Sequence, residues 1–215
     1  MTKIKICGLT DEETALSASR AGADFLGFVF APSRRRLTPE KASAITRVMR
    51  QLEKRPLLVG VFADAQYDEV NSISRSCCLD LVQLCGREDN TFISRIELPV
   101  IKVIHIGPKT TSDEVQHEIR VMDKANIYLL DSAMLGGSGQ LFNWEVAREV
   151  CRQRRVIIAG GLDSENVGQL IREIRPWGVD VSSGVETDGR KDPEKIKKFI
   201  GAVGAADKEV NLVTR

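Results

Sequence analysis

Histidine is scarce in this sequence: His105 and His117 are the only two among 215 residues. One closes an apolar run and the other lies in a helix-like stretch, which supports neither a multi-histidine metal site nor a histidine-centred triad. Charge imbalance is also absent, since 31 Lys and Arg face 30 Asp and Glu, for a net charge of +1. No bulk field draws the chain to nucleic acid or an anionic membrane, so any anionic ligand must be held by local groups. No apolar run approaches the roughly 18 residues of a membrane span. The opening MTKIKICGLTDEE is charged from the start, unlike a secretory leader. The five cysteines, Cys7, Cys77, Cys78, Cys85 and Cys151, are odd in number and form no CxxC pair. That argues against a disulfide framework or zinc site and predicts a protein of the reducing cytoplasm.

A hydrophobic content of 42% suits one domain with a full core. Short apolar, β-branched runs alternate with helix-like stretches at roughly the 25-residue spacing of a βα unit. Eight strands are predicted: Lys3 to Cys7, Asp24 to Phe30, Leu57 to Phe62, Leu81 to Leu84, Val100 to Ile104, Ile127 to Asp131, Val156 to Ala159 and Val179 to Ser182. Nearly continuous apolar runs are what parallel strands covered on both faces require. Thr10 with Glu13 has capping-box spacing, and Thr38-Pro39 and Asp192-Pro193 each set a capping side chain before proline at the first helical position. Gly22 and Gly178 precede strands, where a preceding helix commonly ends on a left-handed residue. A doubly wound open sheet would also alternate, but eight units and no GxGxxG after the first strand favour an α/β fold of the closed (β/α)8, or TIM-barrel, type. The barrel is expected to occupy residues 1–206, with 207–215 a polar tail that frays.

In such barrels the chemistry lies where strands end, at their C-terminal mouth. Strand one ends in Cys7-Gly8, which puts a thiol at the mouth; from position alone it is as readily a small buried hydrophobe. It becomes a useful base only beside a cation or another group that favours thiolate. Strand six ends in Asp131, a carboxylate at the close of a buried run, suited to general-acid work if burial raises its pKa; the bland reading is a cap. Gly160-Gly161 and Ser183-Gly184 follow the last two strands, where barrels commonly bind phosphate through backbone N–H groups. Gly136 to Gly139 read as a loop. Of Arg34, Arg35 and Arg36, after strand two, at least one is expected to be solvated, and one turned inward could bind a carboxylate through its planar fork.

Taken together, Lys5-Ile6-Cys7-Gly8-Leu9-Thr10, Gly27-Phe28-Val29-Phe30, Leu129-Leu130-Asp131-Ser132, Gly136-Gly137-Ser138-Gly139, Ala159-Gly160-Gly161-Leu162 and Val179-Asp180-Val181-Ser182-Ser183-Gly184-Val185-Glu186 resemble the phosphoribosylanthranilate isomerase family over nearly the whole chain. The resemblance implies a cofactor-free and metal-free Amadori rearrangement in tryptophan biosynthesis, with Cys7 as base and Asp131 as acid. It further implies that Arg35, in Arg35-Arg36-Leu37-Thr38-Pro39, binds the anthranilate carboxylate, with Arg36 as the fallback. Gly160, Gly161, Ser182, Ser183 and Gly184 would hold phosphate, and Asp180 would contact sugar hydroxyls. One departure stands out: the family's usual Val-Gln-Leu-His-Gly is Val82-Gln83-Leu84-Cys85-Gly86 here, which places a second thiol near the mouth as a candidate oxidation partner. That departure motivates a second reading, a binding-only or altered-substrate barrel. A related aminosugar-phosphate isomerase of histidine biosynthesis is disfavoured because a cysteine stands where a carboxylate would be needed. The expected partner is a small phosphorylated substrate, with no nucleic acid or membrane, and the sequence is compatible with a monomer or a homodimer.

Overall fold

Eight parallel strands close in chain order: β1 (Lys3–Cys7), β2 (Phe25–Val29), β3 (Leu57–Phe62), β4 (Leu81–Leu84), β5 (Val100–His105), β6 (Ile127–Asp131), β7 (Val156–Ala159) and β8 (Gly178–Val181). The structure, a computed structural model, describes residues 1–131 and 144–213; the glycine-rich loop expected at 136–139 lies outside the described residues. Closure is visible at β1, where Lys5 registers with Phe25 of β2 on one side and Asp180 of β8 on the other.

Strand alternation sorts side chains into two cores. One set, including Ile4, Ile6, Leu26, Phe28, Leu58, Leu84, Ile104, Leu130, Ile158 and Val179, packs under the helices. The other, Phe25, Val59, Leu81, Ile101, Val103, Leu129, Ile157 and Ala159, fills the barrel. Burial on both faces is the reason the strands read as apolar runs. Lys5, Gln83 and Asp180 share the inward parity and are buried polar exceptions. Toward the mouth, Cys7, Val29 and Val61 form a small cluster against which Cys85 packs.

The helices are α1 (Glu12–Ala21), α2 (Pro39–Arg50), α3 (Tyr67–Ser76), α4 (Asn90–Ile93), α5 (Ser112–Val121), α6 (Trp144–Cys151), α7 (Val167–Ile174) and α8 (Pro193–Val213). Thr38 caps α2 as expected, accepting from Lys41 N, and Asp192 accepts from Glu194 N ahead of α8. Three local expectations are corrected. Asp11, not Thr10, caps α1, because its carboxylate reaches both Thr14 N and Thr14 Oγ1 at 2.8 Å. Gly22 is the left-handed C-cap of α1, but α7 ends on a left-handed Arg175, and Gly178 belongs to β8. Gly178 is there for space, since a Cβ would lie 3.0 Å from Lys3 O. The polar stretch from Asp207 is helical to Val213 rather than frayed, because buried Asp207 accepts Thr2 N and Thr2 Oγ1 at 2.7 Å each.

A two-stranded hairpin, β9 (Glu186–Thr187) with β10 (Arg190–Lys191), follows β8 and was not anticipated. Two-residue strands carry no periodicity, but Asp188-Gly189, both at positive φ, is the dipeptide that favours a tight hairpin turn. Among the described residues no helix is long and apolar enough to cross a membrane.

Candidate active site

The end of β1 carries the densest chemistry. Cys7 is buried, and Gly8 then turns the chain at φ +78°, its N–H donating to Gly27 O at 2.9 Å. Gly27, opposite Cys7 on β2, leaves the space that two side chains occupy: a Cβ there would lie 2.9 Å from Cys7 Sγ and 3.3 Å from Lys5 Nζ. Thiol and ammonium therefore lie within about 6 Å of each other. Lys5 is fully buried inside the barrel, and its Nζ donates to Asp180 Oδ1 at 2.9 Å.

Burial opposes the Lys5 ammonium, but Asp180, and then Cys7, more than offset it, so its pKa sits above the ordinary lysine range. Burial pushes the Cys7 thiol up, and Lys5 is the main group holding it down. Lys5 is thus a cation of the kind that favours thiolate at Cys7, and the sequence did not single it out. The signal was available, because residues two apart on a strand share a face, so Lys5 stands directly below Cys7.

Glu186, which the sequence shows only as the end of a matched stretch, and Lys191 had no role assigned from the sequence. Lys191 Nζ, almost completely buried, donates to Ser182 O at 2.8 Å, Ser182 Oγ at 3.2 Å and Glu186 Oε1 at 2.8 Å. Ser182 Oγ in turn donates to Cys7 O at 3.1 Å. Glu186 also accepts from Arg35, Nε to Oε1 at 2.6 Å and Nη2 to Oε2 at 3.0 Å, and from Arg34. Burial works against the Glu186 carboxylate, but Arg35 and Lys191 overcome it and hold the carboxyl down at about 2. Of the three arginines, Arg35 lies against Cys7's neighbour, for a Cβ on Gly8 would meet Arg35 Cδ at 2.4 Å. Arg36 is exposed and bridges to Val29 through its backbone.

The last two strands end in open, small-residue loops. Gly160 and Gly161 have φ of +100° and +63°. Ser182 leads into a single 3-10 turn, Ser183–Val185, in which Ser183 is exposed and Gly184 half-buried. The two loops touch: a Cβ on Gly184 would come within 1.9 Å of Leu162 O, so only glycine lets them meet. Asp131 ends β6 half-buried, registers with Ala159 of β7, and accepts Ile106 N at its carbonyl.

Asp180 is buried on Lys5, and its Oδ2 has no hydrogen-bond partner among the described residues. The departure at Cys85 is half-buried, its thiol pushed up to about 12 by burial, with Gln83 Nε2 donating at 3.4 Å. His105, on the neighbouring strand, brings Nε2 to 3.0 Å from Cys85 O, so an imidazole does stand at this edge of the mouth.

Comparison with known proteins agrees with this arrangement. The model of the family described as N-(5'phosphoribosyl)anthranilate (PRA) isomerase matches residues 4–202. An N-(5'-phosphoribosyl)anthranilate isomerase of Dehalococcoides mccartyi is 48% identical over 214 residues, covering 96% of this chain and 98% of the relative. The crystal structure of phosphoribosyl anthranilate isomerase from Thermotoga maritima superposes with a TM-score of 0.84 at 34% identity, covering 95% of this chain and all of that one. A second, in complex with reduced 1-(o-carboxyphenylamino)-1-deoxyribulose 5-phosphate, has a TM-score of 0.81 at 33% identity with the same coverage. With a thiol, a carboxylate and paired glycine loops at the mouth of an eight-stranded barrel, and a family model spanning nearly all of it, the chain belongs to the N-(5'-phosphoribosyl)anthranilate isomerase family of tryptophan-biosynthesis enzymes.

Proposed function

We propose that Cys7 and Asp131 divide the family's isomerisation between them, converting N-(5-phosphoribosyl)anthranilate to 1-(2-carboxyphenylamino)-1-deoxyribulose 5-phosphate. Asp131 protonates the furanose ring oxygen as its bond to C1 breaks, and the anthranilate nitrogen supplies the electron pair that forms the iminium. Cys7, as thiolate, then takes the proton from C2, and those electrons neutralise the iminium to an enolamine that tautomerises to the ketone. The iminium acidifies C2, so a thiolate is a sufficient base.

The observation that carries this reading is the buried Lys5 ammonium beside Cys7, which offsets part of the cost of charging a buried thiol. Asp180, partnered by Lys5 through one oxygen, keeps the other for a sugar hydroxyl. Backbone N–H groups at Gly160, Gly161, Ser182, Ser183 and Gly184 receive the phosphate, and Arg35 receives the anthranilate carboxylate. Cys7 is free, as a thiol base requires. No observation favours a binding-only barrel, since both proposed catalytic groups are present.

The test follows the fluorescence of freshly generated substrate. Cys7→Ser and Asp131→Asn are each expected to lower kcat by about a hundredfold or more, while a product analogue still binds. Near-normal turnover in either variant removes that residue from the mechanism.

A further inference from the structure

At the β9–β10 hairpin three cationic side chains converge on a single carboxylate. One carboxylate, Glu186, is shared by Arg34, Arg35 and Lys191. Arg34 is over half exposed, so water screens it, but Lys191 is almost wholly buried and Arg35 largely so. The cations in contact with Glu186 therefore outnumber its single charge, and Arg35 is the one that lies beside Gly8.

The hydrogen-bond pattern shows where a second anion fits. Glu186 takes Nε and Nη2 of Arg35, one long edge of the planar guanidinium. Nη1 has no partner among the described residues, and with the remaining Nη2 proton it forms a second fork of the geometry that a carboxylate accepts. Free arginine side chains sample many rotamers, and binding must meet the cost of ordering them. Here that ordering is done in advance: Arg35 Cδ rests over Gly8, and its head is fixed by an acid that is itself anchored to Lys191.

We propose that Glu186 is the positioning residue for recognition of the substrate's aromatic carboxylate, holding Arg35 by one guanidinium edge so that the other edge selects substrates bearing that group. This rests on the reading of Arg35 given above. Glu186 does not stand in for the substrate carboxylate, because its tie to Lys191 and its low pKa keep it charged and seated when a second anion arrives. The same acid joins carboxylate recognition to the catalytic strand, through Lys191 to Ser182 and from Ser182 Oγ to Cys7 O.

The experiment compares two inhibitors, reduced carboxyphenylamino-deoxyribulose phosphate and its phenylamino counterpart lacking the carboxylate. They are titrated against wild type, Glu186→Gln, Arg35→Ala and the double variant. The expected result is that Glu186→Gln weakens the carboxylate inhibitor about tenfold, the scale of one charge-assisted hydrogen bond, and shifts the other inhibitor by less than about twofold. In the Arg35→Ala background, Glu186→Gln should then add nothing. Equal weakening of both inhibitors, or an unchanged preference in Glu186→Gln beside a lost one in Arg35→Ala, overturns the positioning role alone. An unchanged preference in Arg35→Ala overturns the Arg35 reading itself. If Glu186→Gln fails to fold because Lys191 is left unpaired, Glu186→Asp keeps the charge but shortens the reach, and the same ratios decide.

Discussion

Lys5→Met is the most informative single change. It keeps an unbranched apolar stem inside the barrel and removes only the ammonium. The thiol and the ammonium lie within about 6 Å of each other. At that separation and an effective dielectric of about 20, a unit charge stabilises the Cys7 thiolate by roughly 3 kcal/mol, or about two decades of thiolate population. Because burial already raises the Cys7 pKa, the neutral thiol dominates at rest and activity should climb with pH as thiolate forms. In the variant, kcat/KM near neutrality should fall about a hundredfold, and the ascending limb of its pH–rate profile should move upward by as much as about two pH units.

Asp180 loses its partner in the same step, and breaking a buried ion pair costs about 3 to 5 kcal/mol when the remaining charge cannot neutralise. Burial already favours the protonated form of Asp180, which lets it neutralise and reduces that cost. Thermal denaturation confirms folding, pH-rate profiles give the limb, and mass-resolved alkylation of Cys7 against pH reads the thiolate directly. A folded Lys5→Met enzyme with kcat/KM within threefold of wild type, or a loss equal at every pH, would refute the assignment of Lys5 to thiolate stabilisation.

Three further outcomes are expected. Gly27→Ala puts a Cβ 2.9 Å from Cys7 Sγ and 3.1 Å from Cys7 Cα; this overpacking should cost about 1 to 3 kcal/mol in denaturant unfolding and lower kcat by displacing the thiol. Gly184→Ala forces the last two mouth loops apart at Leu162 O, so inorganic phosphate and phosphorylated inhibitors should bind more weakly, while a change seen only in kcat would place phosphate elsewhere. Glu186 has a depressed pKa, so its contribution to stability is complete above the ordinary glutamate pKa of about 4.3. It should be lost as pH falls toward about 2, and urea titrations across that window should show a smaller slope in Glu186→Gln.

Much of the architecture was legible along the chain because a parallel barrel imposes a local signature. Strands buried on both faces are apolar runs, and helix starts carry proline and capping side chains, so β1, β3, β4, β6 and β7 begin and end where the runs predict. Cys7, Asp131 and the glycine loops were legible for the same reason, since strand ends in this fold point to one mouth. Long-range pairs were not. Lys5 looks like either of the two lysines in Lys3-Ile4-Lys5, and only the pairing of β1 with β8 on one side and β2 on the other sets Asp180 beside it and Gly27 over it.

Glu186 and Lys191 sit in a short hairpin without periodicity, and their importance comes from Arg35, about 150 residues earlier, folding across Gly8 to reach them. Of the three consecutive arginines, composition treats all alike, whereas the turn after β2 leaves Arg36 exposed and Arg35 largely buried. The sequence alone therefore determined the barrel, its mouth and the two groups at its strand ends, because those follow from local periodicity and strand direction. Which cations face the thiol, and which acid holds the arginine, was decided by tertiary structure, because electrostatic partners are chosen by distance in space and burial sets the strength of their coupling.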